Sequence, residues 1–443
     1  MKLQIIAILL VYNMVFLWSQ TPLDNYIREG LENNESVRQQ KFALNKSLYA
    51  LKEARSLFFP EVSFGTSYTL SDGGRTIAIP VGDLLNPVYT SLNELTGTNR
   101  FPTVSNMDER MNPNNYYDAR FRFSMPLVDA ELYYYQKIKK QATEIEALEL
   151  RLYQRELVKE LKVAYFTYAQ ACKAIEIYNQ GVNLAEENLR LNQALQRNQK
   201  VNNTTVLRSE NELTQAQTEL NSAKIRQQNA GSYFNFLLNK PLDSPITVQE
   251  VTEENIRHTI IGQHEELSRL NTAFTSLRLS RKMDRSFVIP KLRTFVDLGS
   301  QGFDWKVNNK TAYYLFGISL EWKFSLGGKD IHKVRQTEME MERVHSQQVQ
   351  VEEQLRLQIT VAENKLTDAR QQLQSAGKQL ITAKKYYDDQ NRLYREGTIL
   401  YIEMLDAYHQ YIRAMLAGNI ALYEVLIKHA EHERANAGFE LPE

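Results

Sequence analysis

The chain is short of the residues that staple or interrupt structure. Cys172 is its only cysteine, so no disulfide can close within it. It stands beside Ala171 in a helical repeat, where a small packed side chain is the ordinary reading. The 11 prolines and 18 glycines are bunched, which leaves long stretches open to helix. Net charge is zero, 53 basic against 53 acidic residues, so no nucleic-acid partner is implied. Past the N-terminus there is no run of about 18 apolar residues, so any crossing of a membrane must be made by strands. H-E-x-x-H, P-loop and G-x-S-x-G motifs are missing. The histidine pairs His332/His345 and His429/His432 lack a second pair of ligands. No enzyme, cofactor or metal is implied.

What is present begins with a secretory signal. Lys2 is followed by an apolar run from Ile5 to Trp18, broken only by Asn13. It is too short for a comfortable membrane helix and reads as a signal over residues 1–20, cleaved near Ser19 or Gln20. No cysteine stands directly after it, which gives no support for lipoprotein processing.

Four segments then alternate with period two. Val62, Phe64, Tyr68 and Leu70 share a face in the first, residues 61–70. In the second, 116–127, Tyr117, Phe121, Phe123 and Met125 oppose Asp118, Arg120 and Arg122. The third, 290–299, sets Leu292, Val296 and Leu298 against Lys291, Arg293 and Asp297. The fourth, 311–324, sets Tyr314, Phe316, Ile318, Leu320, Trp322 and Phe324 against Gly317, Ser319, Glu321 and Lys323. Alternation over about ten residues suits a tilted transmembrane strand. Phe121, Phe123, Phe316, Ile318, Leu320 and Trp322 are the residues expected to face lipid. Aromatics bunch at the strand ends, as in interfacial girdles. Four strands cannot close a cylinder, and unpaired edges are not tolerated in lipid. The smallest membrane barrels have about eight strands, so at least two copies must share one. The first two strands are joined by a Pro- and Gly-rich loop, residues 71–115, whose apolar stretch Ile77–Leu85 is a candidate to fold over the pore mouth.

The remainder repeats in heptads. Leu157, Leu161, Ala164, Tyr168, Ala171, Ile175, Tyr178, Val182, Ala185 and Leu189 alternate steps of four and three. Three more such segments start at Leu213, Leu355 and Leu405. Sustained heptads signal coiled coil. A helix over 128–199 would run about 105 Å at its usual rise. The order strand, strand, long helix, return helix occurs twice. Residues 21–240 form a first repeat with long helix 128–199 and return helix 204–238. Residues 241–260 link it to a second repeat, 261–435, with helices 328–396 and 400–430. A polar tail, 436–443, follows. A helix over 23–57 and a shorter one at Glu265–Asp284 lead into the two strand pairs, and Ile246–Val251 is expected to be a short strand. The fold class expected is α+β membrane protein with an internal two-fold repeat.

Three stretches carry a resemblance. Tyr394–Ala407 reads YREGTILYIEMLDA, Ser124–Asp129 reads SMPLVD and Asn235–Leu242 reads NFLLNKPL. With the repeat, they resemble the outer membrane efflux protein (TolC-like) family over nearly the whole chain after the signal. The resemblance implies a homotrimer sharing a twelve-stranded β-barrel, four strands per chain, continued by a periplasmic α-helical coiled-coil barrel. It implies an outer-membrane exit duct coupled through a periplasmic adaptor protein to an inner-membrane pump of RND or ABC type. Tyr394 matches the gating tyrosine, Glu403 and Asp406 match acidic lumen positions, and Thr204 and Thr205 fall where the first hairpin meets the gate. The tips Lys200, Val201, Asn202, Asn203, Gly397, Thr398 and Ile399 are where an adaptor would touch. Thr205 stands where the family has an aspartate, Ile399 where it can have an arginine, and Lys323 where it has a junction proline. These departures at Thr205 and Ile399 point to a hydrogen-bonded or apolar constriction here rather than the salt-bridged one the family can have. The alternative from another class is a non-channel periplasmic coiled-coil scaffold, which the heptads and the signal also suit.

Overall fold

The computed structural model describes residues 21–249 and 261–441. The signal region 1–20 lies outside the described residues, as do 250–260 of the linker and 442–443 of the tail. Helix α1 (Pro22–Asn33) and α2 (Glu35–Ser56) lead to β1 (Glu61–Thr69). Then come β2 (Thr76–Ile79), α3 (Val81–Thr96), β3 (Met107–Arg110) and β4 (Tyr116–Val128). Helix α4 (Ala130–Arg197) turns into α5 (Asn203–Leu237). After α6 (Glu265–Asp284) the order recurs as β5 (Lys291–Phe303), β6 (Ala312–Glu321), α7 (Lys329–Glu396) and α8 (Tyr401–Ala435).

The chain divides into two compact units, a strand-bearing one (Ala50–Lys139 and Arg278–Glu338) and a helical one made of the rest. In the strand unit, one antiparallel sheet has the order β1-β4-β5-β6, and β2 and β3 form a separate hairpin. Each repeat thus donates two strands to a single sheet.

The structure refines several expectations. The single helix expected over 23–57 is two. Asn34 ends α1 and caps α2, accepting from the Ser36 and Val37 amides while its own amide donates to the Leu237 carbonyl at 2.9 Å. A side chain that satisfies the orphan amides of a helix start makes a break that apolar spacing does not reveal. Segment 71–115 is no bare loop, since it holds β2, α3 and β3. Residues 246–249 take no strand conformation; Glu250 and Val251 of that expected strand lie outside the described residues. β6 stops at Glu321 because its partner stops there, Lys291 facing Glu321 in the last pair. Trp322 therefore lies beyond the strand, although the alternation runs on. The tail is not merely polar, for Phe439 and Leu441 pack on the helical core.

That core joins Ile27 and Leu31 of α1 to Leu157, Leu161, Tyr165 and Phe166 of α4, Phe234 of α5 and Leu426 of α8. Gly30 allows the contact, because a Cβ there would fall 2.6 Å from a Leu161 methyl. Arg155 ties the tail down, pairing with Glu265 at 2.7 Å and donating to the carbonyls of Ala437 (2.9 Å) and Phe439 (2.6 Å).

The two long helices end alike. At Gly397, φ is +77°, and the Thr398 amide reaches back to the Leu393 carbonyl at 3.0 Å. At Gln199, φ is +55°, and the Lys200 amide reaches the Leu195 carbonyl at 2.9 Å. Both are left-handed closures that use otherwise orphaned helix carbonyls. Asn202 then caps α5 by accepting from the Thr205 amide at 3.0 Å.

Candidate functional site

The sheet aligns its apolar residues in rows, as a period of two requires once the register is set. Val62 faces Phe123, Phe123 faces Val296 and Val296 faces Phe316. One row on, Phe64 faces Phe121, then Leu298 and Tyr314. Further along, Thr294 faces Ile318 and Leu292 faces Leu320. This face is open within the chain: Phe316 is 62% exposed and Leu320 64%. Phe121, Phe123, Ile318 and Trp322 are exposed as well. Isolated exposed apolar residues are ordinary, but a whole apolar sheet face is not.

The opposite face is ionic. Arg122 holds Asp297 through two hydrogen bonds, 2.7 and 2.6 Å, and lies over the Phe295 ring. Arg120 pairs with Asp118 at 2.8 Å, and Asp118 also accepts from the Tyr313 hydroxyl. Asp297 is fully buried whereas Arg122 is partly open. Arg122→Leu is accordingly expected to lower the urea midpoint of the detergent-extracted protein more than Asp297→Asn does. It strands a buried carboxylate, whereas the second variant frees a cation that water can reach.

Aromatics gather where β1 and β4 meet the strand ends away from the long helices. Trp305 stacks between Tyr68 (5.4 Å) and Tyr117 (5.0 Å), and Tyr116 packs edge-on against Phe303. Such rings suit the boundary between lipid and water. The sheet keeps both outer strands, β1 and β6, without a second partner in the described residues.

A second cluster lies at the helix tips. Tyr387 and Tyr394 of α7 and Tyr401 and Tyr408 of α8 are spaced by sevens, and all four are buried. Tyr394 packs its ring 5.5 Å from Tyr401 and donates its hydroxyl to Asn192 of α4. Asn192 donates to the Ser209 hydroxyl of α5, which donates to the Thr205 carbonyl at 2.9 Å. Tyr408 donates to the Gly181 carbonyl at 3.0 Å, where a larger residue would crowd it. His409 approaches Glu212 at 3.2 Å. Tyr394 and Thr205 are therefore joined through two residues that the motifs do not name. Asn192 does leave a trace in the sequence, being the polar residue one step past Leu189 in the heptad register. Thr204, Glu403 and Asp406 are exposed, the last accepting from Gln410. Of the tip residues, Asn202, Asn203, Gly397 and Thr398 are exposed, Lys200 too, and Val201 and Ile399 are half-buried.

Burial pushes Tyr387 and Tyr394 up to about 12, and Tyr408 upward too, so these hydroxyls stay protonated. Their folded-state values exceed the ordinary 10, so their contribution is complete below pH 10 and is lost as pH rises toward 12. The tip is expected to loosen across that alkaline window as these tyrosines ionise. Tyrosinate absorbance followed alongside helix content checks this. Melting that begins well below pH 10 would contradict it.

Residues 26–238 match the family model described as outer membrane efflux protein. No curated protein matches the chain in sequence. Among solved structures, the outer-membrane channel OprN matches with a TM-score of 0.75 at 15% identity, covering 94% of this chain and 90% of its own. CmeC of Campylobacter jejuni gives 0.75 at 14%, covering 94% and 86%. VceC of Vibrio cholerae gives 0.73 at 12%, covering 94% and 96%. The fold is that of outer-membrane efflux channels, and the first half of the chain resembles the outer membrane efflux protein family.

Proposed function

We propose that three copies of this chain share one β-barrel and form the exit duct of a tripartite efflux or type I secretion system. The observation that carries this is a four-stranded sheet with two free edges and one open apolar face. In hydrocarbon each unsatisfied backbone group costs several kcal/mol, so β1 of one copy must pair with β6 of the next until the cylinder closes. With four strands each, three copies give the twelve-stranded barrel that the family resemblance implies. Phe121, Phe123, Phe316, Ile318, Leu320 and Trp322 then face lipid, and the Arg122–Asp297 network lines the lumen.

In this reading the helices continue the duct into the periplasm. The tips 200–203 and 397–399 meet a periplasmic adaptor protein, which couples the duct to an inner-membrane pump of RND or ABC type. Tyr394, Thr204 and Thr205 belong to the constriction. Glu403 and Asp406, repeated three times, would ring the entrance with carboxylates and favour cations. The neutral chain from Tyr394 through Asn192 to Ser209 supports a gate held by hydrogen bonds. A non-channel scaffold would leave the open apolar sheet face without a purpose.

Extraction tests the reading. The protein is expected to stay with membranes through high salt and urea and to leave them only in detergent. Release by salt or urea would favour the scaffold.

A further inference from the structure

Helix α3 is amphipathic the wrong way round. Gly82, Asn86, Tyr89 and Asn93, spaced four, three and four, face the segment that returns to β3. Asn86 exchanges two hydrogen bonds with the Val104 backbone, 2.9 and 2.8 Å, and Asn93 exchanges two with that of Phe101, 2.8 and 3.1 Å. Tyr89 packs against the Phe101 ring at 5.6 Å. Gly82 lies so close under the Val104 carbonyl that a Cβ would fall 2.3 Å from its oxygen. The excursion is thus a built subdomain held by its polar side. The opposite stripe, Leu84, Val88, Ser91 and Leu95, is turned out: Leu84 is 69%, Val88 52% and Leu95 84% exposed. A helix normally buries such a stripe.

We propose that this stripe docks against α3 of the neighbouring copy over the outer mouth of the shared barrel. The inference rests on the shared-barrel reading. Two observations select a second copy over a lipid surface. The helix carries Asp83 and Glu94 and no lysine or arginine, whereas helices that lie on anionic headgroups are basic. The excursion also grows from the end of β1, the edge strand at which the next copy joins. Reach is sufficient: 16 residues span about 24 Å, against a radius of about 12 Å for twelve strands tilted near 40°.

The test uses the full chain in detergent with Cys172→Ser as background. Its oligomeric mass is measured first. In trimers, Val88→Cys or Leu95→Cys is expected to be joined between copies by a short bismaleimide. Adding Leu84→Glu and Leu95→Glu to the Val88→Cys protein is expected to cut that yield about tenfold, since buried charge weakens an apolar contact. Trimers that fail to cross-link at Leu84, Val88 and Leu95 would overturn the docking while leaving the barrel intact. So would quenching of a Leu95→Cys fluorophore by nitroxide lipids without cross-linking, which would assign the stripe to the outer leaflet. A monomeric particle would remove both readings together.

Discussion

Phe316→Arg and Leu320→Arg are each expected to cost about 2–4 kcal/mol if their positions lie near the bilayer midplane. Both residues sit on the open apolar face, in rows that run through β4 and β5 to β1 or nearly so. An arginine there has no carboxylate to meet, since the ionic residues of the sheet all occupy the other face. Together the two changes approach the whole stability of an ordinary domain. The expected result is loss of detergent-resistant oligomers, with the protein recovered as aggregate or proteolytic fragments. Ser319→Arg provides the control, because it places the same charge on the polar face, beside Arg293. It should insert, with a milder loss. Normal assembly of both apolar-face variants would show that this face does not meet lipid.

Tyr394→Ala is the second large effect. It removes a buried ring packed on Tyr401 and the donor to Asn192. Truncating a buried aromatic costs about 3–5 kcal/mol. Most of that falls on the α7–α4 contact at the tip, because the long helices remain packed elsewhere. Single-channel conductance in planar bilayers is expected to rise. Tyr394→Phe separates packing from hydrogen bonding. It keeps the ring but leaves Asn192 short of a partner, at about 1–2 kcal/mol. Its conductance should lie between those of the alanine variant and the unaltered protein. Unchanged conductance in the alanine variant would take Tyr394 out of the constriction.

Strand and helix were legible because their apolar periods differ. Tyr314 to Leu320 alternates by two, and Leu157 to Leu189 steps by four and three without a slip. The free edges were legible by counting strands. Other features were hidden for physical reasons. Asn34 breaks a helix through its own side-chain hydrogen bonds, so spacing gives no warning. The α3 excursion reads as loop because Pro80, Pro87 and its glycines mark turns. It folds because Asn86 and Asn93 tie it to backbone instead of burying leucines. Trp322 continues the alternation past the last paired residue, because pairing ends where the partner strand ends. At the tip, motif matching reached Tyr394 and Thr205 but not Asn192 and Ser209, which lie on α4 and α5 and connect them.

The shared cylinder is tested most directly by weighing the particle. Native mass measurement of the detergent-extracted protein should return three chains in one complex, and that complex should persist on dilution. A single chain per particle, with β1 and β6 paired to nothing beyond themselves, would contradict the barrel and with it the duct.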